Sequence, residues 1–220
     1  MAGGAIAHLL DALDEREEIT AVPMRHEQAA AFAAEGYARA GGKVGVAMAT
    51  SGPGALNLVT GIGGCYFDSV TCVFLTGQVI TYEFKFDDPV RQNGFQETDI
   101  VSVVKPLTKY AALVGDAERL RYELEKAWEV ATPGRPGPVL LDIPMDVQRA
   151  DVNPSAMEGY GEDKASAEET AGLAEGEPDA GIRRFAAMLR ASLRPIVLVG
   201  GGVRAAGAVP EKGGAGVSLQ

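Results

Sequence analysis

An α/β fold is what this sequence of 220 residues predicts: a parallel sheet flanked by helices, followed by the start of a second α/β domain. Three observations carry that expectation. Short β-rich apolar runs alternate with helical segments, which is the order a parallel sheet covered by helices requires. The run Gly137 to Ile143 is apolar apart from Asp142, as in strands buried on both faces. Between Ala150 and Asp179 the pattern stops, and Pro154, Gly159, Gly161, Gly172, Gly176 and Pro178 sit among small, acidic residues, the composition of a linker.

Taken in order, Gly3 to Glu17 reads as a helix with Ile6, Leu9, Leu10 and Leu13 on one face. Glu18 to Met24 is a strand by pattern, and His26 to Ala40 an alanine-rich helix that Gly41 and Gly42 close. Lys43 to Thr50 is the next strand. The tight turn Ser51-Gly-Pro-Gly54 then leads into a helix through about Phe67, and Thr71 to Val79 is an apolar strand. Thr81 to Asp99 is irregular, polar and dotted with aromatics, a long loop of the functional kind. Tyr110 to Val114 resumes the sheet, and Asp116 caps a helix running through Trp128 to Val130. Pro144 ends the strand Gly137 to Ile143. Beyond the linker, Ile182 to Leu193 reads as a helix and Pro195 to Val199 as a strand, after which the tail is glycine-rich.

Composition excludes several classes. Lys+Arg 20 against Asp+Glu 30 gives a net charge of -10, so no basic surface is available for nucleic acid or for an anionic membrane. Cys65 and Cys72 lie in apolar surroundings without CxxC spacing or a histidine cluster, which points to buried thiols rather than zinc or a redox pair. No apolar run is long enough to span a bilayer and no signal peptide opens the chain, so the expected location is the cytoplasm.

Arg25-His-Glu-Gln28 falls where a strand gives way to a helix, the place where an α/β sheet presents side chains to a ligand. There the helix dipole favours the Glu27 anion and an alanine-lined cleft favours the neutral acid, so the carboxyl is suited to exchange a proton. Its plain alternative is support of the first helical turn. Thr50-Ser-Gly-Pro-Gly54 with Asn57 resembles an anion cradle, but no P-loop lysine follows, and a simple strand-to-helix connection explains the glycines equally. Gly200-Gly201-Gly202 lacks the GxGxxG spacing of a dinucleotide loop. His8 reads as a surface or core group, and His26 has only its place beside Glu27.

Read together, the segments resemble acetolactate synthase and its pyruvate-oxidase-like relatives, the thiamine diphosphate-dependent 2-oxo acid enzymes. The matching pieces are Arg25 to Ala30, Gly36 to Arg39, Ala49 to Gly54 with Asn57, Asp68-Ser69, Thr76 to Val79, Gly94 to Val101, Lys105-Pro106 with Thr108-Lys109, and Gly134 to Pro138 with Asp142 to Pro144. The resemblance implies a thiamine diphosphate pyrimidine-binding domain over residues 1–149, an acidic linker over 150–178, and the opening of a central domain over 179–220. It implies a transferase and lyase that decarboxylates and condenses small 2-oxo acids such as pyruvate, as in branched-chain amino acid synthesis. Glu27 would hydrogen-bond the cofactor's aminopyrimidine and switch it on, with Pro53, Asn57 and Gln78 also on the cofactor side.

By the same resemblance Phe95 and Gln96 would face the substrate, Gln96 with a catalytic role. For Phe95 core packing is the plain alternative, and for Gln78 a strand-end cap. Lys109 and Arg135 read as structural. Mg2+ would be held by a diphosphate-binding domain absent from this sequence, and no metal ligand is expected within it. FAD follows by analogy alone. The resemblance further implies a homodimer or tetramer in which a partner subunit's diphosphate domain completes each site, so that this chain alone is inactive. A strand and helix that usually precede Gly3-Gly4 are missing, and Met145 stands where acetolactate synthases usually carry lysine. Other readings are a different decarboxylase or lyase of the family, a non-catalytic binding or dimerisation module, and a nucleotide-binding α/β domain.

Overall fold

The computed structural model describes residues 2–161 and 178–205, and the chain divides into two units, Met1–Ala167 and Glu168–Gln220. The first unit is a layered α/β domain. The opening residues make a 3-10 turn, Gly4–Ile6, and then α1, Ala7–Asp14, shorter at both ends than the pattern predicts. Ile6 is fully buried, while Leu9 packs into the core below the sheet. Then comes α2, Glu27–Gly41, whose Ala31, Ala34 and Ala38 form a thin buried face, a spacing of three and four residues that keeps them on one side. The His26 Nδ1 accepts from the Gln28 N–H at 3.1 Å, capping the helix start. Gly42, with φ 62°, closes the other end through its N–H to the Ala38 carbonyl.

Four parallel strands follow in the order β1-β2-β4-β3: β1, Gly45–Ala49; β2, Cys72–Gln78; β3, Tyr110–Leu113; and β4, Val139–Pro144. The two central strands are the most buried, as a sheet covered on both faces demands. Alternation sends Phe74 and Leu140 into one core with Leu58, Ile62 and Ile100, and Val73, Val139 and Leu141 into the other with Ala127. The first core lies under α2, α4 (Val59–Asp68) and α5 (Ile100–Val104), and the second under α6 (Leu120–Ala131). Close packing of α2 on β1 needs Gly45, because a Cβ there would come 2.2 Å from the Ala34 carbonyl oxygen.

Several expectations change. Glu18 to Met24 forms no strand: Ile19 and Val22 are 51% and 67% exposed, and the segment joins no ladder among the described residues. An apolar alternation becomes a strand only where another strand supplies N–H and C=O groups. The helix read from Ser51 to Phe67 is two, α3 (Pro53–Asn57) and α4, separated at Leu58, whose N–H bonds three residues back to Ala55 instead of four. Helix α5 was not legible at all. Asp116 does cap, accepting from the Glu118 N–H at 3.0 Å, and a 3-10 turn, Ala117–Arg119, precedes α6. The short α7, Met145–Gln148, begins at the residue after Pro144.

Residues 151–160, read as linker, fold back on α6. There Arg121 donates to the Pro154 and Met157 carbonyls, Tyr160 stacks edge-on against Tyr122, and Met157 is buried. Both cysteines are buried and free, and the Cys72 thiol together with burial pushes the Cys65 thiol up, away from reactivity. Lys109 donates to the Pro133 carbonyl and Arg135 to the Ser69 hydroxyl, both at 2.8 Å, which fits their structural reading.

In the second unit, α8 spans Pro178–Ala191 and α9 Gly202–Ala205. Pro195 to Val199 is not a strand, with Ile196 and Leu198 both 95% exposed and no neighbouring strand among the described residues. The middle of the predicted linker and the glycine-rich tail lie outside the described residues.

Candidate functional site

The site sits beyond the C-terminal ends of β1 and β2, where an α/β sheet opens a crevice. Glu27 is the first residue of α2, and its side chain is turned inward, leaving the residue 4% exposed. Its Oε2 accepts from the Asn57 Nδ2 at 3.0 Å. Among the described residues Oε1 accepts no hydrogen bond, and it lies over Gly54. A buried carboxylate held by one oxygen leaves the other for a donor in the crevice.

Sequence places these partners by one local device. After β1 the chain turns through Thr50 to Gly54, with Gly52 at φ 59° and ψ -125°, a conformation that a side chain resists. Pro53 then starts α3, its missing N–H costing nothing in the first turn, and α3 delivers Asn57 to Glu27. Gly54 must stay small because an added Cβ would fall 2.7 Å from the Thr50 Cγ2. The Thr50 Oγ1 in turn accepts from the Ala5 N–H at 3.3 Å, so the chain's opening turn lies across the strand end.

Gln96 is brought to this turn from the long loop: a Cβ on Gly52 would meet its carbonyl oxygen at 2.6 Å. It is exposed and has φ 58°, in the left-handed region. Phe95 is 80% exposed, so core packing is not its role. Gln78 is buried at the end of β2, and its polar atoms are engaged within the protein. Its Nε2 donates to the Thr98 carbonyl and to the Asp142 Oδ2, both at 2.8 Å, while its Oε1 accepts from the Val79 N–H. Its geometry is that of a tie between strand and loop. Pro53, Asn57, Glu27 and Gln96 are thus gathered around one turn, with Gln78 beneath the loop and Phe95 at its surface.

Three further residues went unread. Thr50 was seen only as part of the turn. Glu97, 7% exposed, accepts from the Lys85 and Asn93 N–H groups at 2.9 and 2.8 Å. Asp142, 1% exposed on β4, accepts from the Thr76 hydroxyl at 2.7 Å as well as from Gln78. Burial pushes its carboxyl up to about 7 against the opposing pull of those hydrogen bonds, with Asp99 adding to the rise. A charged residue inside a run as apolar as Val139 to Ile143 was the available signal. His8 is exposed, and His26 is spent on capping. Among the described residues no group of three or more His, Cys, Asp or Glu side chains could hold a metal ion.

Residues 1–103 match the family described as thiamine pyrophosphate enzyme, N-terminal TPP binding domain. The chain has acetolactate synthases among its relatives. It is 40% identical to the acetolactate synthase isozyme 3 large subunit of Escherichia coli, over 93% of this chain and 34% of that protein. The chloroplastic acetolactate synthase of Arabidopsis thaliana is also 40% identical, over 91% of this chain and 28% of its own length. A probable acetolactate synthase large subunit of Methanocaldococcus jannaschii matches at 40% over 95% of this chain and 34% of its own. The chain therefore spans about a third of the length of the curated relatives it matches.

Proposed function

We propose that this chain is the cofactor-activating part of a thiamine diphosphate-dependent carboligase of the acetolactate synthase type, which decarboxylates and condenses small 2-oxo acids. The observation that carries this reading is the buried Glu27 carboxylate, with one oxygen held by Asn57 and the other uncommitted. That arrangement fits an aminopyrimidine, one ring nitrogen of which would share a proton with the free carboxylate oxygen.

When bound, thiamine diphosphate supplies the carbanion chemistry. The chain's own residues do the rest. Glu27 holds and moves one proton at Oε1, shielded from bulk water, where a charge-assisted hydrogen bond is strongest. Asn57 fixes the carboxylate's rotation through Oε2, so that Oε1 keeps one direction. Pro53 and the glycine turn, at the start of α3, would line the cofactor's ring. Phe95 and Gln96, at the loop surface beside Gly52, face the 2-oxo acid, and Gln96 supplies an amide to its polar groups.

In the complete protein we assign Mg2+ and the diphosphate to a domain outside this sequence and the finished site to a homodimer or tetramer, acting in the cytoplasm. FAD remains an analogy with the family. In the described residues no helix is long and apolar enough to cross a membrane. The test is calorimetric titration of thiamine diphosphate with Mg2+ into the complete protein and into its Asn57→Ala variant. Saturable binding that Asn57→Ala weakens supports the reading, whereas identical isotherms contradict it.

A further inference from the structure

The loop that carries Phe95 and Gln96 is held in place without help from either side chain. Phe95 is 80% exposed and Gln96 is exposed too, so burial does not hold them there. Both Phe86 and Gln96 take positive φ, 44° and 58°, which side chains other than glycine resist. Some other group must hold the excursion in this shape.

We propose that Glu97 is the positioning residue of this loop, its buried carboxylate clamping the backbone so that Phe95 and Gln96 stay against the Gly52 turn. This rests on the reading of Phe95 and Gln96 as substrate-facing. The two carboxylate oxygens are divided between the two ends of the excursion: Oε1 accepts from the Lys85 N–H and Oε2 from the Asn93 N–H. One side chain thereby closes the intervening segment. A carboxylate that gives up water is expensive to bury, and these neutral N–H groups are the partners the structure gives it. Next to the clamp, the Gly94 N–H donates to the Glu83 carbonyl at 2.9 Å, and Gly94 lies so close on Val79 that a Cβ would fall 2.7 Å from its Cγ1.

On the other flank the Gln78 Nε2 holds the Thr98 carbonyl, with Asp142 holding the same nitrogen from below. The dipeptide Phe95-Gln96 is thus suspended between two fixed points, Gly94 and the pair Glu97-Thr98. Gln78 then acts on the site through the loop, which accounts for a residue expected at the cofactor whose amide is spent elsewhere.

The experiment compares the complete wild-type protein with Glu97→Gln and Glu97→Asp, reconstituted with thiamine diphosphate and Mg2+ and using pyruvate as the probe substrate. Glu97→Gln turns an N–H donor toward one of the two backbone N–H groups, while Glu97→Asp keeps the charge and guards against loss of the fold. Backbone amide exchange at Lys85, Asn93 and Gly94 should quicken by about tenfold in Glu97→Gln, with the β2 and β4 amides unchanged. The pyruvate KM should rise by a similar factor, about tenfold, while C2 proton exchange of the bound cofactor stays at the wild-type rate. Glu97→Asp should fall between the two in both readouts. A loosened loop with unchanged KM, or unchanged exchange at Lys85 and Asn93, would overturn the clamp. A wild-type protein that binds no thiamine diphosphate would instead overturn the functional reading, and the amide exchange would still decide whether Glu97 holds the loop.

Discussion

Asp142 is a carboxyl whose ionisation the fold resists. Burial raises its carboxyl from an ordinary value of 3.8 to about 7, so between those two pH values the folded chain holds a proton that the unfolded chain has released. Stability from this group is accordingly greatest below about pH 4, declines as pH rises toward 7, and stays reduced above it. The span corresponds to at most about 4 kcal/mol. Because other carboxylates contribute opposite slopes, the measurement is a difference: urea unfolding of wild type and Asp142→Asn at pH 4.5 and at pH 8. The variant is expected to gain on the wild type as pH rises, and a pH-independent difference would contradict the account. At Gly52 the prediction is steric. Gly52→Ala adds a methyl group 2.6 Å from the Gln96 carbonyl oxygen at a positive φ, and should cost more than about 1 kcal/mol in thermal unfolding.

Among the elements, α2 does most to set the site, because its first residue is Glu27 and its alanine face fixes its depth on β1. Gly45→Ala would drive a methyl group into the Ala34 carbonyl, and a loss of about 1–3 kcal/mol is expected from overpacking. Gly36→Ala is the control on the same helix. Its Cβ would meet nothing within 4 Å, and removing a helical glycine should stabilise by about 0.5–1 kcal/mol. If both substitutions destabilised equally, close packing would not be what distinguishes them. Helix α2 was legible in the sequence because its signals are local: an alanine-rich run and closing glycines. Glu18 to Met24 and Pro195 to Val199 carry strand patterns equally clear, yet pairing is non-local and the pattern says nothing about a partner. Glu27 and Asn57 could be named from motifs, whereas the bond between them is a tertiary fact. Glu97 was invisible for the same reason, since its two partners lie four and twelve residues upstream and on backbone atoms.

At the scale of the whole molecule, the proposed function has the domain present one side of a cofactor site on rigid elements. Strand ends supply Gln78 and the turn, helix starts supply Glu27 and Pro53, and a clamped loop supplies Phe95 and Gln96. With the diphosphate and Mg2+ assigned to another domain, the 220-residue chain should bind thiamine diphosphate far more weakly than the complete protein does, and Mg2+ should not improve it. Tight binding by the chain alone in a calorimetric titration would refute that division. The central claim concerns one proton at Glu27. It is tested most directly by measuring C2 hydrogen–deuterium exchange of thiamine diphosphate bound to the complete protein and to its Glu27→Gln variant. The account predicts a fall of at least about a hundredfold with the fold and cofactor affinity retained, and exchange at the wild-type rate in Glu27→Gln would contradict it.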